Sequence, residues 1–369
     1  MNSIEKIREN ISDVDDKIAS LFSERLNLSS QIAKVKQQEN ISIADYKREA
    51  VVEENFISKV DEKFKGEASS LSRTLMSISK MVQRSTLYGA FEKVLLPPSF
   101  KITKPSPVVS YQGIKGAYSY ISANKFNENA TLLNLDYFED VFKSVSTGKA
   151  DFGVLPIENS ISGAVGEVYD LLSRYGCFII SQNFCEINHC LMAKPTSNIK
   201  KIHKVLSHPE AFKQCSRFLQ KHNFEEIATT NTAVAGKLVA TNSSDDVAAI
   251  GSLDSAAINN LAVLKENITN DSQNKTRFIV IAKNPIYDNT SNHISLYFKT
   301  LDKSGALTDV LFQFMANKVN LTRIESRPSS NGEYTFFVDL VGNINDPVVA
   351  NAISSAKGAS VYLEVLGCY

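Results

Sequence analysis

Thr276 and Arg277 stand at the mouth of an unbroken apolar run, Phe278 to Ala282, that reads as a buried strand. No apolar core requires a hydroxyl and a guanidinium there, although a polar loop running into the strand explains the pair taken alone. Other polar groups fall at comparable places. Glu158, Asn159 and Ser160 follow the strand-like "DFGVLPI", Ser207 closes "HKVLS", and Thr232 follows "EEIATT". "QGIKGAYS" (112–119) sets a GxxG turn between a strand and a helix start. In open α/β sheets ligands bind beyond the carboxyl ends of strands, where helix N-termini offer free N–H groups, so this set suits an anion. Gln214, seven residues after Ser207, falls on the same helical face. Simpler readings stand beside these: glycine turns are common, Ser207 with Glu210 forms a capping box, and Asn159 can close a turn. His189 and His208 read as structural, because no cysteine or serine nucleophile motif accompanies them.

A second group of charges lies near the N-terminus. Arg25 and Lys36 are eleven residues apart, so at about 100° per residue they return to the same helical face, whereas Arg8 is rotated far from it. Asp45, Arg48 and Glu49 share a face, and Ser79 and Gln83 are neighbours at i, i+4. Such cations suit a dianion; a solvated charged face of an antiparallel coiled coil is the plainer explanation.

The elements that must position these groups differ along the chain. Residues 3–92 lack proline and place Ile4, Ile7, Ile11, Val14, Ile18 and Leu21 at helical spacing. One helix is expected from an Asn2/Ser3 cap to about Gln38, a second from Asp45 to Lys63, and a third after "GEASS" to about Phe91. A helix near forty residues needs a partner to cover its apolar face, so a homodimer or tetramer is expected. Residues 93–106, where prolines cluster, read as a linker. From 107 to 285 strands alternate with helices, which predicts α/β architecture with mainly parallel sheets. Residues 292–369 read as βαββαβ, a ferredoxin-like module.

The 369 residues allow two or three domains, and 43% hydrophobic with 22% charged residues is ordinary for a soluble protein. Forty basic residues balance forty acidic ones, so nothing favours nucleic acid or an anionic membrane. The N-terminus shows neither a signal core nor transit character, and no run reaches membrane-span length. Five cysteines without a CxxC pair point to reduced thiols in the cytoplasm, and with five scattered histidines no metal or other cofactor is expected.

Taken as a set, Arg8-x2-Ile11-x3-Asp15-x2-Ile18-x2-Leu21-x3-Arg25, then Lys36 and Asp45-x2-Arg48-Glu49, resembles the all-helical chorismate mutases. The resemblance implies an interlocked dimer that rearranges chorismate to prephenate. Arg8 of the partner chain, Arg25 and Arg48 would clamp carboxylates, Lys36 and Gln83 would face the ether oxygen, and Asp45 and Glu49 would position the ring hydroxyl. Ser79 belongs to the same set. "GxxGAYS", "GVLPIENSxxG", "SHPxAFxQC" and "NKTRF" in this order resemble prephenate dehydratase over 107–283. That implies two lobes of periplasmic-binding-protein type, with prephenate losing water and carbon dioxide in the cleft. Thr276 would donate to the departing hydroxyl with help from Glu158, and Arg277 would bind a carboxylate. Asn159, Ser160, Ser207, Gln214 and Thr232 would orient the substrate. Strand alternation sends Thr276 and Arg277 to opposite faces, so this reading requires both to precede the strand. "SGALTDVL" and "IESRP" within βαββαβ resemble the ACT regulatory domain. There Gly305, Ala306 and Leu307 would meet L-phenylalanine, with Glu325, Ser326 and Arg327 forming the pocket wall.

The implied protein is a bifunctional enzyme of phenylalanine biosynthesis under feedback by its product. Two other readings make the helices a mere dimerisation element, or the whole chain a ligand-binding regulator. The first leaves the arginine set unexplained, and the second gives "NKTRF" no purpose.

Overall fold

The computed structural model describes residues 3–88, 96–100, 104–328 and 334–369. Three helices come first: α1 (Ser3–Gln38), α2 (Tyr46–Ile57) and α3 (Lys65–Tyr88), the last preceded by a 3-10 turn at Glu62–Phe64. Asn2 and the segment after Tyr88 lie outside the described residues. Asp45 caps α2 by accepting the Arg48 N–H at 3.0 Å. The second helix stops at Ile57 rather than Lys63, and the third already contains "GEASS". The serines do not break it because Ser70 donates back to the Gly66 carbonyl and Ser69 donates to Glu53 of α2. On α1 only Ser29 and Ala33 are buried, and the stripe from Ile4 to Leu21 stays at least half exposed.

The next body has two lobes. The first holds β1 (Val108–Gln112), α4 (Tyr118–Phe126), β2 (Thr131–Leu135), α5 (Phe138–Ser146), β3 (Phe152–Asn159), β4 (Gly163–Ala164), α6 (Gly166–Tyr175) and β5 (Phe178–Glu186). The second holds β6 (Cys190–Ala193), β7 (Lys204–Ser207), α7 (Pro209–Gln214), α8 (Ser216–Leu219), β8 (Glu225–Ala228), α9 (Thr232–Thr241), β9 (Val247–Gly251), α10 (Leu253–Ile258) and β10 (Ala262–Lys265). The chain then returns through β11 (Lys275–Ala282), giving strand orders β2-β1-β3-β11-β5 and β10-β6-β9-β7-β8. Sheets of mainly parallel strands were the expectation, and both are mixed. β11 runs antiparallel to β3 and β5, because β5 leaves the first lobe and β11 comes back into it.

A third sheet follows: β12 (His293–Lys299), α11 (Ala306–Ala316), β13 (Leu321–Pro328), β14 (Tyr334–Val341), α12 (Pro347–Ala359) and β15 (Tyr362–Cys368). Its order β13-β14-β12-β15 is the antiparallel ferredoxin-like arrangement read from the sequence. α11 and α12 cover one face. The other packs on the first lobe, with Tyr169 and Phe337 ring centroids 4.8 Å apart. Gly367 permits this approach, since a Cβ there would overlap the Ile179 carbonyl. Where it is described, at 96–100 and 104–106, the proline-rich segment is docked rather than loose. Leu96 is buried in the third sheet's core, the Phe100 N–H donates to the Pro285 carbonyl at 2.9 Å, and Lys104 pairs with Asp151 at 2.8 Å.

Candidate active sites

Thr276 and Arg277 both lie inside β11, not ahead of it. Ser160 extends the strand backwards: its N–H donates to the Lys275 carbonyl at 2.9 Å, and its Oγ accepts the Lys275 N–H at 3.0 Å. Alternation then separates the pair. Thr276 lies opposite Asn159, and Asn159 Nδ2 donates to Thr276 Oγ1 at 3.0 Å and to Asn274 Oδ1 at 2.7 Å. The carboxamide cannot turn over, because Asn159 Oδ1 accepts the N–H groups of Ile161 and Ser162. As the acceptor from Asn159, Thr276 keeps its own proton to donate elsewhere. Asn274 is only 1% exposed, yet its Nδ2 has no partner, a donor that a bound oxygen would satisfy. Sequence reasoning missed Asn274, although it too is a polar side chain ahead of the apolar run, the signal that singled out Thr276 and Arg277.

The junction of the lobes is polar and buried. His189 Nε2 lies 3.0 Å from Gln214 Oε1 on α7, and Nδ1 lies 3.3 Å from the Tyr118 hydroxyl on α4. Ser252 donates to the Gly116 carbonyl at 3.0 Å, and a Cβ on Gly116 would come within 3.1 Å of Ser255 Cα. That glycine is therefore explained by the approach of α10 as well as by its φ of +92°. Ser207 is not a cap. It ends β7, buried, and donates to the Ile250 carbonyl at 2.8 Å, while His208 Nδ1 accepts the Glu210 N–H. The shared helical face of Ser207 and Gln214 disappears with it. Thr232 opens α9 under an Asn231 cap.

Burial lowers the His189 pKa below its ordinary 6.5, against the opposing Gln214 contact. The unfolded chain thus binds more protons than the native one just below that pH, so stability is fully present above 6.5 and is lost as pH falls toward the folded value. In urea melts, His189→Asn should flatten the stability loss between pH 6.5 and 5.5; an unchanged slope would mean that other groups carry it.

In the helical body Arg25 donates to the Leu75 carbonyl at 2.9 Å and to Ser79 Oγ on α3. Burial pulls its pKa below the usual arginine value. Gln83, one turn beyond Ser79, is buried with Oε1 unpartnered. Glu49 pairs with Lys80 at 3.0 Å, and its other oxygen is a second buried orphan. Lys80 was not foreseen; it lies beside Ser79 in the chain. Lys36 donates to the Ile43 carbonyl at 2.6 Å, whereas Arg48 is exposed. Seventeen residues at 1.5 Å each put Arg8 about 25 Å from Arg25 along α1, so one protomer does not bring them together.

Comparison with known proteins supplies the family. The chorismate mutase type II family matches residues 7–84, and the prephenate dehydratase family matches residues 109–286. The bifunctional chorismate mutase/prephenate dehydratase of Escherichia coli strain K12 is 31% identical over 381 residues, covering 100% of this chain and 96% of that one. The chain belongs to the bifunctional chorismate mutase/prephenate dehydratases. It rearranges chorismate to prephenate and converts prephenate to phenylpyruvate. A chloroplastic arogenate dehydratase/prephenate dehydratase of Arabidopsis thaliana is 35% identical over 71% of this chain and 72% of its own length. A prephenate dehydratase from Arthrobacter aurescens, solved in complex with L-Phe, superposes with a TM-score of 0.66 at 27% identity, over 71% of this chain and 89% of that one.

Within this mutase–dehydratase, two expectations need correction. Arg277 and Glu158 do not join Thr276. Glu158, the chain neighbour of Asn159 and the register partner of Arg277, alternates with it to the far side of the sheet, where Arg277 Nε lies 3.3 Å from Glu158 and Nη2 lies 2.8 Å from Asp339 of β14. Glu158 is paired there with Arg323 as well, and so is not placed to assist Thr276. The wall drawn around Gly305–Leu307 also divides. Glu325 and Arg327 face the first lobe, through Arg323 at 3.6 Å and Asp170 at 3.1 Å, whereas Leu307 packs into the core beneath the helices on the opposite face. Ser326, between them on the strand, alternates to the helix side. Among the described residues no helix is long and apolar enough to cross a membrane.

Proposed function

We propose that each reaction has its own site in this chain, and that the third module is an ACT-type sensor of L-phenylalanine. The boundaries follow as 1–92 for the mutase, 93–106 for the connector, 107–285 for the dehydratase and 292–369 for the sensor. In the mutase, Arg25 and Arg48 with Arg8 of the partner chain clamp the two carboxylates in the compact diaxial shape. Lys36 and Gln83 donate to the ether oxygen as charge builds there, and Asp45, Glu49 and Ser79 fix the ring. This step needs no nucleophile and no proton transfer. The distance of Arg8 from Arg25 and the uncovered stripe on α1 both support a dimer.

In the dehydratase, Thr276 protonates the departing hydroxyl while the ring carboxylate leaves as carbon dioxide. The carbon–carbon electron pair enters the ring, the carbon–oxygen pair leaves with the hydroxyl, and water forms. Asn159 fixes the Thr276 oxygen, Asn274 supplies a further donor, and Ser160, Gln214 and Thr232 shape the cleft around them. The carboxylate role expected of Arg277 passes to the open start of α4, where Ala117 offers no side-chain cap and leaves N–H groups for an anion. Carrying the reading is the unspent Thr276 proton beside the orphan Asn274 donor. Ala306 and Leu307 behind Gly305 (φ +83°), with Ser326, lie on the sensor's helix side and offer its effector wall. Free thiols at the described cysteines support a cytoplasmic protein.

A time course tests the division. With chorismate the protein should accumulate prephenate transiently before phenylpyruvate, and L-phenylalanine should slow the second phase. Consumption of prephenate alone would reduce the helices to a dimerisation element.

A further inference from the structure

Four charged side chains meet where the third sheet lies on the dehydratase. Asp339 holds Arg277, and Arg323 holds Glu158. Asp339 and Arg323 are register partners on β14 and β13, and Arg277 and Glu158 are register partners on β11 and β3. The next register position on the dehydratase side is Thr276 opposite Asn159. Each member of the catalytic pair is therefore the chain neighbour of a residue gripped from the other module.

Packing alone does not explain the cluster. The aromatic contact of Tyr169, Tyr297 and Phe337 already seals the modules together. Burying charges costs desolvation that their attraction only partly offsets, so ion pairs at this place are poor glue. The pairing also has an alternative arrangement. Glu158 Oε2 is contested by both guanidinium groups, and Arg277 Nε approaches it without a directed hydrogen bond. Asp339 is held in place by Ser295, whose Oγ donates to it at 2.5 Å. A cavity of about 430 Å³ borders all four groups and leaves room for them to re-pair. Burial opposes the charge on Arg277, but Asp339 together with Tyr369 and Tyr169 more than offsets it and holds the guanidinium ionised beyond the ordinary arginine range.

We propose that Asp339 and Arg323 are positioning residues for dehydration, and that their grip on Arg277 and Glu158 is the junction through which the sensor acts on Thr276. The second clause rests on the sensor reading above. β13 carries Arg323 and the "ESRP" segment on one strand, so a shift of that strand moves the grip. β11 is rigid between two neighbours, so a shift at Arg277 is felt one residue away.

The test uses the full chain with Asp339→Asn, Asp339→Glu and Arg323→Gln, measuring prephenate kcat and KM, the L-phenylalanine inhibition midpoint, and chorismate rearrangement as a check on folding. Asp339→Asn should lower kcat with KM nearly unchanged and move the midpoint by about fivefold or more, with partial rescue by Asp339→Glu. Arg323→Gln should move the midpoint in the same way. Parental kcat and midpoint in Asp339→Asn would overturn the proposal, and a reduced kcat with an unmoved midpoint would overturn the coupling. If Asp339→Asn loses both activities through misfolding, Arg323→Gln decides by the same criteria. A parent enzyme that ignores L-phenylalanine would sink the sensor reading instead, leaving kcat to decide positioning.

Discussion

Replacing Thr276 by alanine is expected to slow prephenate dehydration by about a thousandfold, with chorismate rearrangement unchanged. General acid assistance is worth about 10²–10⁴-fold, and among the described residues no carboxyl group is hydrogen-bonded to Thr276 or Asn159: Glu158 is turned away and engaged by Arg323. The substitution leaves Asn159 anchored by its turn and by Asn274, so the loss is chemical rather than structural. Serine at 276 should recover part of the rate, because its hydroxyl can accept from Asn159 in the same way. Both rates are read from one sample by resolving chorismate, prephenate and phenylpyruvate. Loss of both activities together would refute separate sites.

Arg25→Ala carries the complementary expectation: rearrangement falls by about 10²–10³-fold while dehydration of added prephenate continues. The guanidinium is partly buried between α1 and α3 and gripped by Ser79, a fixed place that the exposed Arg48 does not occupy. Arg8→Ala should be inactive as a mutase for the same reason, though Arg8 is far from Arg25 in its own chain. The two inactive variants, refolded together, should regain about a quarter of parental mutase activity, since half the dimers would be mixed and each would contain one complete site. No recovery would remove Arg8 from the mechanism.

Local physics made much of this chain legible. The 3.6-residue period defined α1 to within the described residues, and strand-helix alternation identified the α/β body and the βαββαβ module, whereas the division of that body into two lobes came only with the family resemblance. Alternation even posed the difficulty over Thr276 and Arg277 correctly. What resolved it is not local. β11 begins early because Ser160, more than a hundred residues away, clamps Lys275. Glu158 faces away from Thr276 because it pairs in register with Arg277, and there it meets Arg323, a partner in another module. The second helix ends early although no proline or glycine marks the place. Ser207 and His208 exchanged roles because a serine at a strand end can donate to the neighbouring strand as easily as cap a helix.

The strand order of the first lobe bears on how the protein is made. β11 fills the slot between β3 and β5, yet it leaves the ribosome only after the entire second lobe. Until then β3 and β5 present unpaired edges, and the Asn159 carboxamide has neither Thr276 nor Asn274 to meet. Synthesis thus delivers the mutase helices first, the second lobe next, and a competent dehydratase only when residues 275–282 insert. A chain arrested just before that strand would be a mutase carrying an open, adhesive sheet. Late, long-range closure of this kind is intrinsically slow, and the strand edges stay exposed to aggregation while it is pending.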